Sequence, residues 1–346
     1  MVKAIQIGLG AWGFSWSKEV IPKVPTVEMV AYVDTNPDAQ QRVQTELGID
    51  PKLCFSSLDD AAHRTDAVLA LCTLRTEAHY PVVKRCLELG LHVLVEKPFT
   101  TTIAQGRELV ALAKAQGKHL MVSQNYRHQP APIAAAKLIS SGQFGSLSMV
   151  SIDFRRHGPS QGYRYWDMPD PLLADMSIHH FDLMRYVLGD EAKRLSARTW
   201  NPPGSPFQYH PTGVVTIEFA KGTMVTYRAS WMSSQPVTPW AGDWVMDGAE
   251  GTISWTSRDN FKGIAGPDRL SLRALDGQPE TISLDPVAFP DRTGTLSTIA
   301  KVIDTGEIPV GFSSGEDNLG SLALVQASIL SASRGGDWVD VAEVIG

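Results

Sequence analysis

The chain has 346 residues, of which 43% are hydrophobic and 20% charged, and its net charge is −6. That length suits two ordinary domains with large cores, and the composition is globular. A negative chain without basic runs among aromatics argues against nucleic acid as a partner, no apolar run reaches transmembrane length, and Cys54, Cys72 and Cys86 are too far apart for a disulfide framework or metal cluster.

Lys3 to Ile7 reads as a short buried strand that runs into Gly8-Leu9-Gly10-Ala11-Trp12-Gly13. A helical segment follows, then an apolar strand from Val27 to Val33 that ends on Asp34. Strand, glycine turn, helix, strand and acid in this order is the pattern of a dinucleotide site. Gly8 permits the tight turn, Gly10 lets backbone approach a pyrophosphate, and Gly13 lets helix and strand pack closely. The helix start, at Ala11 and Trp12, offers unpaired N–H groups to phosphate. Asp34 is placed to accept from both ribose hydroxyls of an adenosine and to repel a 2′-phosphate, so NAD is expected rather than NADP. The plainer alternative is a glycine turn in a ligand-free α/β domain.

Helices are predicted over Asn36–Leu47, Ser57–His63, Thr76–Leu89 and Thr102–Gln116. Asn36 caps the first, Pro37 opens it, and Gly48, Gly90 and Gly117 end three of them. Strands are predicted over Leu53–Phe55, Asp66–Thr73, Leu91–Lys97 and His119–Ser123. Strands alternating with helices at short intervals mean a doubly wound parallel sheet over residues 1–124, with ligands at the carboxyl ends of the strands. Near residue 125 the pattern changes to many alternating strand-like runs, from Ser146–Phe154 to Thr281–Leu284. Few helices interrupt them: Ala131–Ser141, Asp175–Leu188, Gly294–Thr305 and Gly315–Ser333. Residues 125–346 therefore read as an α+β domain on a large, mainly antiparallel sheet. Six of the nine tryptophans fall between Trp166 and Trp255, which means either a subunit interface or two-sided core packing.

Two constellations carry chemistry. Glu96-Lys97-Pro98 lies at the carboxyl end of a parallel strand, where a nicotinamide and its substrate meet. A lysine there can hydrogen-bond a substrate hydroxyl and take part in proton transfer, and a cis Pro98 would aim it. The alternative is a solvated strand-end lysine. The second is Asp175-Met-Ser-Ile-His179-His180-Phe-Asp182, whose positions 175, 179 and 182 share one face of a helix. Asp175 accepting from one ring nitrogen of His179 leaves the other to take a hydroxyl proton. Alternatively Asp175 caps the helix, or the pair contributes to a zinc site, for which no third ligand motif is evident.

Gly8-x-Gly10-x-x-Gly13, Glu96-Lys97-Pro98, Asn125-Tyr126-Arg127 and Asp175-x-x-x-His179-His180-x-Asp182 together resemble the Gfo/Idh/MocA oxidoreductase family over essentially the whole chain. The resemblance implies that Lys97, Asp175 and His179 are the catalytic set. It implies that Thr73, Glu96, Lys97 and Asn125 line an NAD cofactor, with Leu74 and His79 beside them. It also implies a carboxy-terminal open-faced sheet that pairs subunits into homodimers or homotetramers. Departures from the family pattern are Thr73-Leu74-Arg75, where Thr-Pro-Asn is common, Asp170-Pro171-Leu172-Leu173-Ala174 before the aspartate, and Ser177 in place of glycine. They bear on loop shape around the nicotinamide and substrate. Arg127, Arg155, His157, Tyr163, Arg164 and Trp166 are candidates to join Lys97 and His179 on the substrate side, each equally open to a packing role. The expected activity is NAD-dependent oxidation of a secondary hydroxyl on a sugar, glycoside or cyclic polyol. Alternatives are a redox-neutral NAD-using glycosidase or epimerase, and a sensor without chemistry. Without a basic, apolar leader before the first strand, a cytoplasmic location is expected.

Overall fold

A computed structural model describes residues 1–157, 164–258 and 268–345; of the candidate residues, Tyr163 lies outside them. The chain divides into two units, Met1–Asn125 with Ala288–Leu319, and Tyr126–Val287 with Gly320–Gly346. The expected cut between 124 and 125 is therefore incomplete, because residues 288–319 return to the first unit.

In that unit β1 (Val2–Ile7), α1 (Ala11–Ser15), β2 (Val27–Val33), α2 (Pro37–Leu47), β3 (Cys54–Phe55), α3 (Leu58–Arg64), β4 (Leu69–Cys72), α4 (Thr76–Glu88), β5 (His92–Val95), α5 (Ile103–Ala115) and β6 (Leu120–Val122) follow one another. The strands form one parallel sheet in the order β3-β2-β1-β4-β5-β6. Such a sheet is covered on both faces, which is why Leu69–Cys72 is apolar throughout and fully buried. The side chains of Asn36, Ser57 and Thr102 accept from backbone N–H groups at the starts of α2, α3 and α5. Strand order reverses between β1 and β4, the point at which doubly wound sheets take ligands.

One local feature differs from a plain helix. After α1 the chain widens into a π-helical turn, Trp16–Val20, and tightens into a 3-10 turn, Ile21–Lys23. The two turns together keep Trp16, Ser17, Val20 and Ile21 all inward, and Trp16, Val20 and Ile21 join a core with Leu69, Leu71, Leu94 and Met121. An apolar pattern of period 3.6 does not announce this.

The chain continues with α6 (Pro130–Ser141), β7 (Leu147–Arg155), α7 (Ser177–Leu188), β8 (Ala192–Trp200), β9 (Thr212–Phe219), β10 (Met224–Ser230), β11 (Asp243–Gly248), β12 (Gly251–Thr256), β13 (Arg269–Ala274), β14 (Glu280–Thr281), α8 (Arg292–Thr305), α9 (Gly315–Ser333) and β15 (Val339–Asp340). The second sheet has nine strands, ordered β14-β13-β12-β11-β7-β10-β9-β8-β15. Among the described residues only the β7–β10 pair in it is parallel. Three of the six tryptophans in this region, Trp231, Trp244 and Trp255, are buried, Trp166 and Trp240 are half-buried and Trp200 is exposed; Trp244 stacks on Trp255 at 4.5 Å, and Trp231 meets Trp240 edge-on at 6.1 Å. Core packing accounts for the three buried ones. Among the described residues no helix is long and apolar enough to cross a membrane.

Candidate active site

The glycine turn is built as its residues dictate. Gly8 adopts φ +92°, a left-handed value, and its N–H donates to Val33 O. A Cβ on Gly13 would lie 1.9 Å from Gly8 O, so the turn and the first helical turn touch through backbone alone. A Cβ on Gly10 would meet nothing within 4 Å, and Gly10, Ala11 and Trp12 are exposed. This open, backbone-lined rim fits a pyrophosphate. Asp34 holds the turn from the next strand: one carboxylate oxygen accepts from Leu9 N at 2.6 Å and the other from Asn36 N at 2.8 Å. A carboxylate has about four acceptor sites, so capacity for ribose hydroxyls remains. Gln6, missed in the sequence, is buried inside β1. Its amide donates to Gly13 O at 2.7 Å, and Ser17 donates to its oxygen at 2.6 Å. A lone amide in an apolar strand was the available signal.

The exits of β4 and β5 hold the next group. Thr73 is buried, with its hydroxyl on Gly8 O at 2.6 Å, and Leu74 packs against Gly8. Thr73 thus braces the glycine turn from behind. The strand predicted to reach Lys97 ends at Val95; Glu96 and Lys97 lie in the turn beyond, and the Lys97–Pro98 bond is cis. Glu96 is buried and accepts from the Trp16 indole at 2.8 Å and from Lys97 N at 3.2 Å. Burial raises its carboxyl above the ordinary value; the Trp12 indole, Lys97, Trp16 and Arg292 oppose that rise. Arg292 comes from the returning segment and lies 4.4 Å from the Trp12 ring centroid, with Nη2 donating to Ser15 Oγ at 3.1 Å. Its link to the glycine turn spans some 280 residues and had no local signal. Asn125 donates its amide to Asp291, a residue at φ +58°. His79, expected at the cofactor, is buried with Nδ1 2.9 Å from Pro98 O and Nε2 3.1 Å from Leu74 O. Its ring bridges the two loops.

In the second unit the expected single helix from Asp175 is two elements. Leu172–Met176 is a π-helical turn, and α7 begins at Ser177. The extra residue shifts Asp175 around the axis, so its relation to His179 is not a plain i, i+4 spacing. The Asp175 carboxylate accepts the Tyr165 hydroxyl. His179 is buried and stacks flat on Tyr126, with centroids 4.1 Å apart and planes 2° apart. Asp182 forms a buried fork with Arg127, Nε to Oδ2 and Nη2 to Oδ1, both 2.6 Å, and Ser321 adds a third donor at 2.9 Å. Arg127 is therefore a buried structural partner of Asp182, since an unpaired carboxylate there would be costly. Arg155 is committed to Pro236 O, Asp153 and Asp243, each at 3.0 Å. His157 is exposed and donates Nδ1–H to Ser233 O at 2.7 Å. The Trp166 indole nitrogen is buried and has no acceptor among the described residues. Tyr126 and Tyr165 were not singled out from the sequence, although Tyr126 sits inside the Asn125-Tyr126-Arg127 stretch.

Among the described residues no group of three or more His, Cys, Asp or Glu side chains is arranged to hold a metal ion. Residues 2–124 match the oxidoreductase family, NAD-binding Rossmann fold, and residues 133–254 match the GFO/IDH/MocA C-terminal domain. D-apiose dehydrogenase of Paraburkholderia graminis is 27% identical over 322 residues, 89% of this chain and 82% of that protein. An oxidoreductase of Agrobacterium radiobacter, solved in complex with NAD+, L-tartaric acid and magnesium, is similar with a TM-score of 0.84 at 20% identity over 99% of each chain. An inositol dehydrogenase homolog of Azotobacter vinelandii, solved with NADH and myo-inositol, has a TM-score of 0.82 at 18% identity over 98% of this chain and 97% of that one. At such identities the structural likeness is one of fold. With both domains matched in order along the sequence, the chain belongs to the GFO/IDH/MocA family of oxidoreductases, and its first domain is NAD-binding.

Proposed function

We propose that the protein is an NAD-dependent dehydrogenase that oxidises a secondary hydroxyl of a sugar, glycoside or cyclic polyol. The observation that carries this reading is the joint presence of Lys97 in the turn after β5 and of Asp175 and buried His179 at the start of α7. A sensor without chemistry has no need of all three. The relatives point the same way: one is named a D-apiose dehydrogenase, and a structural neighbour was solved with myo-inositol.

NAD, when bound, supplies the hydride acceptor. Gly10, Ala11 and Trp12 would take its pyrophosphate and Asp34 its adenosine ribose, and Thr73, Leu74, Glu96 and Asn125 would shape the walls around it. Lys97 donates a hydrogen bond to the reacting hydroxyl oxygen and stabilises developing negative charge there. His179, held flat by Tyr126, takes the hydroxyl proton. Asp175, fixed by Tyr165, favours the protonated imidazole that results. The Trp166 indole is suited to a substrate hydroxyl as a donor. We also propose a homodimer or homotetramer paired through the exposed face of the nine-stranded sheet, where Met149, Val214 and Val245 stand half-exposed.

A panel of aldoses, glycosides and inositols, mixed with the protein and NAD, should give reduced cofactor by its absorbance. Lys97→Met and His179→Ala should each lower kcat by about 100-fold or more, with NAD affinity within about threefold of the parent. Unchanged rates in both variants would overturn the roles. Product without net reduced cofactor would replace the dehydrogenase reading with a redox-neutral one.

A further inference from the structure

His79 is the fourth residue of α4, in its first turn. Its buried ring spans the two chain exits that frame the candidate catalytic turn. Beyond β4 and β5 the paired backbones separate after the bond from Glu96 N–H to Cys72 O at 3.0 Å. Further out, the ring has Nδ1 2.9 Å from the carbonyl of Pro98, in the turn after β5, and Nε2 3.1 Å from the carbonyl of Leu74, in the loop after β4.

Two carbonyl oxygens only accept, and a neutral imidazole has a single N–H to give. Burial pushes His79 below its ordinary value, and Lys97 acts in the same direction; the carbonyls of Pro98 and Leu74 and the carboxylate of Glu77 oppose it. The neutral ring therefore prevails near pH 7 and must choose one carbonyl. Both contacts lie within hydrogen-bond range; giving the N–H to Nδ1, the nearer of the two, leaves Nε2 without a proton at the Leu74 carbonyl. The choice matters because Pro98 follows Lys97 directly in the chain.

We propose that His79 is the positioning residue for Lys97: its Nδ1–H holds the Pro98 carbonyl and so fixes where the Lys97 amine is presented. This rests on the reading of Lys97 as the residue that meets the reacting hydroxyl. The contacts of the His79 ring are to these two backbone carbonyls.

Asparagine and glutamine separate the two contacts, since the Asn amide nitrogen falls near the Nδ1 position and the Gln amide nitrogen near Nε2. In a turnover assay His79→Gln should lose kcat by about 10- to 100-fold, the scale expected for a displacement of about 1 Å, with KM and NAD affinity within about threefold. His79→Asn should recover kcat to within about threefold of the parent. Two further measurements need no turnover. The 15N spectrum of the imidazole should show Nδ1 protonated and Nε2 bare. Acetylation of Lys97 by acetic anhydride, followed by mass spectrometry, should change in rate by about threefold or more in His79→Gln and hold in His79→Asn. A protonated Nε2, or equal Lys97 labelling and kcat in the two variants, overturns the proposal. A parent protein that oxidises no alcohol in the panel overturns the dehydrogenase reading instead, and the spectrum and the labelling still judge His79.

Discussion

At single residues, the glycine turn separates what the fold needs from what a ligand needs. Gly13 has no room for a Cβ, which would lie 1.9 Å from Gly8 O and 2.8 Å from Thr73 Oγ1. Gly10 has φ −58°, a value any residue adopts, and open space where a Cβ would stand. Gly13→Ala should therefore destabilise by about 3 kcal/mol, because backbone must move to accept the methyl. Gly10→Ala should leave stability unchanged or raise it by about 0.5 kcal/mol, since only the unfolded chain loses freedom. Yet it should weaken NAD binding by about tenfold, because the methyl would stand where pyrophosphate approaches. Thermal melts and a fluorescence titration with NAD test both variants. Equal affinity in Gly10→Ala would show that the rim is not the phosphate site. These roles were legible in the sequence because they depend on neighbours within a few residues. The bracing of the turn by Gln6 and Thr73 was less so, since their partners depend on how the strands are ordered.

Among elements, α7 illustrates how burial hides chemistry inside a plain apolar pattern. All twelve of its residues are buried except Tyr186. Three of its polar side chains are satisfied in turn: Asp182 by Arg127 and Ser321, Arg185 by Glu191 at 2.6 and 2.7 Å, and His180 by Trp240 O at 3.0 Å and Tyr227 at 2.8 Å. Since Trp240 O only accepts, His180 carries its proton on Nε2 and receives the Tyr227 hydroxyl at Nδ1. Burial lowers His180 to about 4, with Arg156 acting in the same sense against the Trp240 carbonyl. The unfolded chain, near 6.5, binds a proton that the folded chain refuses. The stability involved is present above about pH 6.5 and is lost as the pH falls toward 4, about 2–3 kcal/mol by pH 4.5. Urea unfolding at pH 7 and pH 4.5 should show that loss, and His180→Gln, which keeps a donor for Trp240 O, should flatten it. An unaltered pH slope in the variant would assign the acid loss to other groups. The sequence marked Asp175, His179 and Asp182 as polar positions on a buried helix. It did not reveal the π-helical turn before α7 or the pairing of Asp182 with Arg127, because neither leaves a mark in apolar periodicity.

For the molecule as a whole, the sequence suggested a cut near residue 124, yet the first unit is closed by residues 288–319. Leu296, Ile299 and Ala300 of α8 are buried in one core with Trp16, Val20, Ile21, Leu71 and Leu94. The same segment covers β6, the edge of the parallel sheet: Val122 N–H donates to Ser313 O at 2.9 Å, and Ser313 Oγ donates to Val122 O at 2.7 Å. An uncovered edge strand invites pairing with other chains. The expected cut is a local reading of composition, whereas this closure joins residues more than 150 apart and has no local signature. Losing two large aliphatic side chains from the core forfeits roughly 3–6 kcal/mol, a large fraction of the roughly 5–15 kcal/mol that holds a domain folded. A fragment of residues 1–125 should therefore bind a hydrophobic dye, lack a cooperative melt and aggregate. Joining residues 288–319 to it through a flexible Gly/Ser linker should restore a cooperative transition and, with it, binding of NAD. Calorimetry and dye fluorescence on the two fragments decide the matter. A cooperative, dye-silent melt of residues 1–125 alone would mean that the returning helix decorates a domain already complete, and that the boundary read from composition is the physical one.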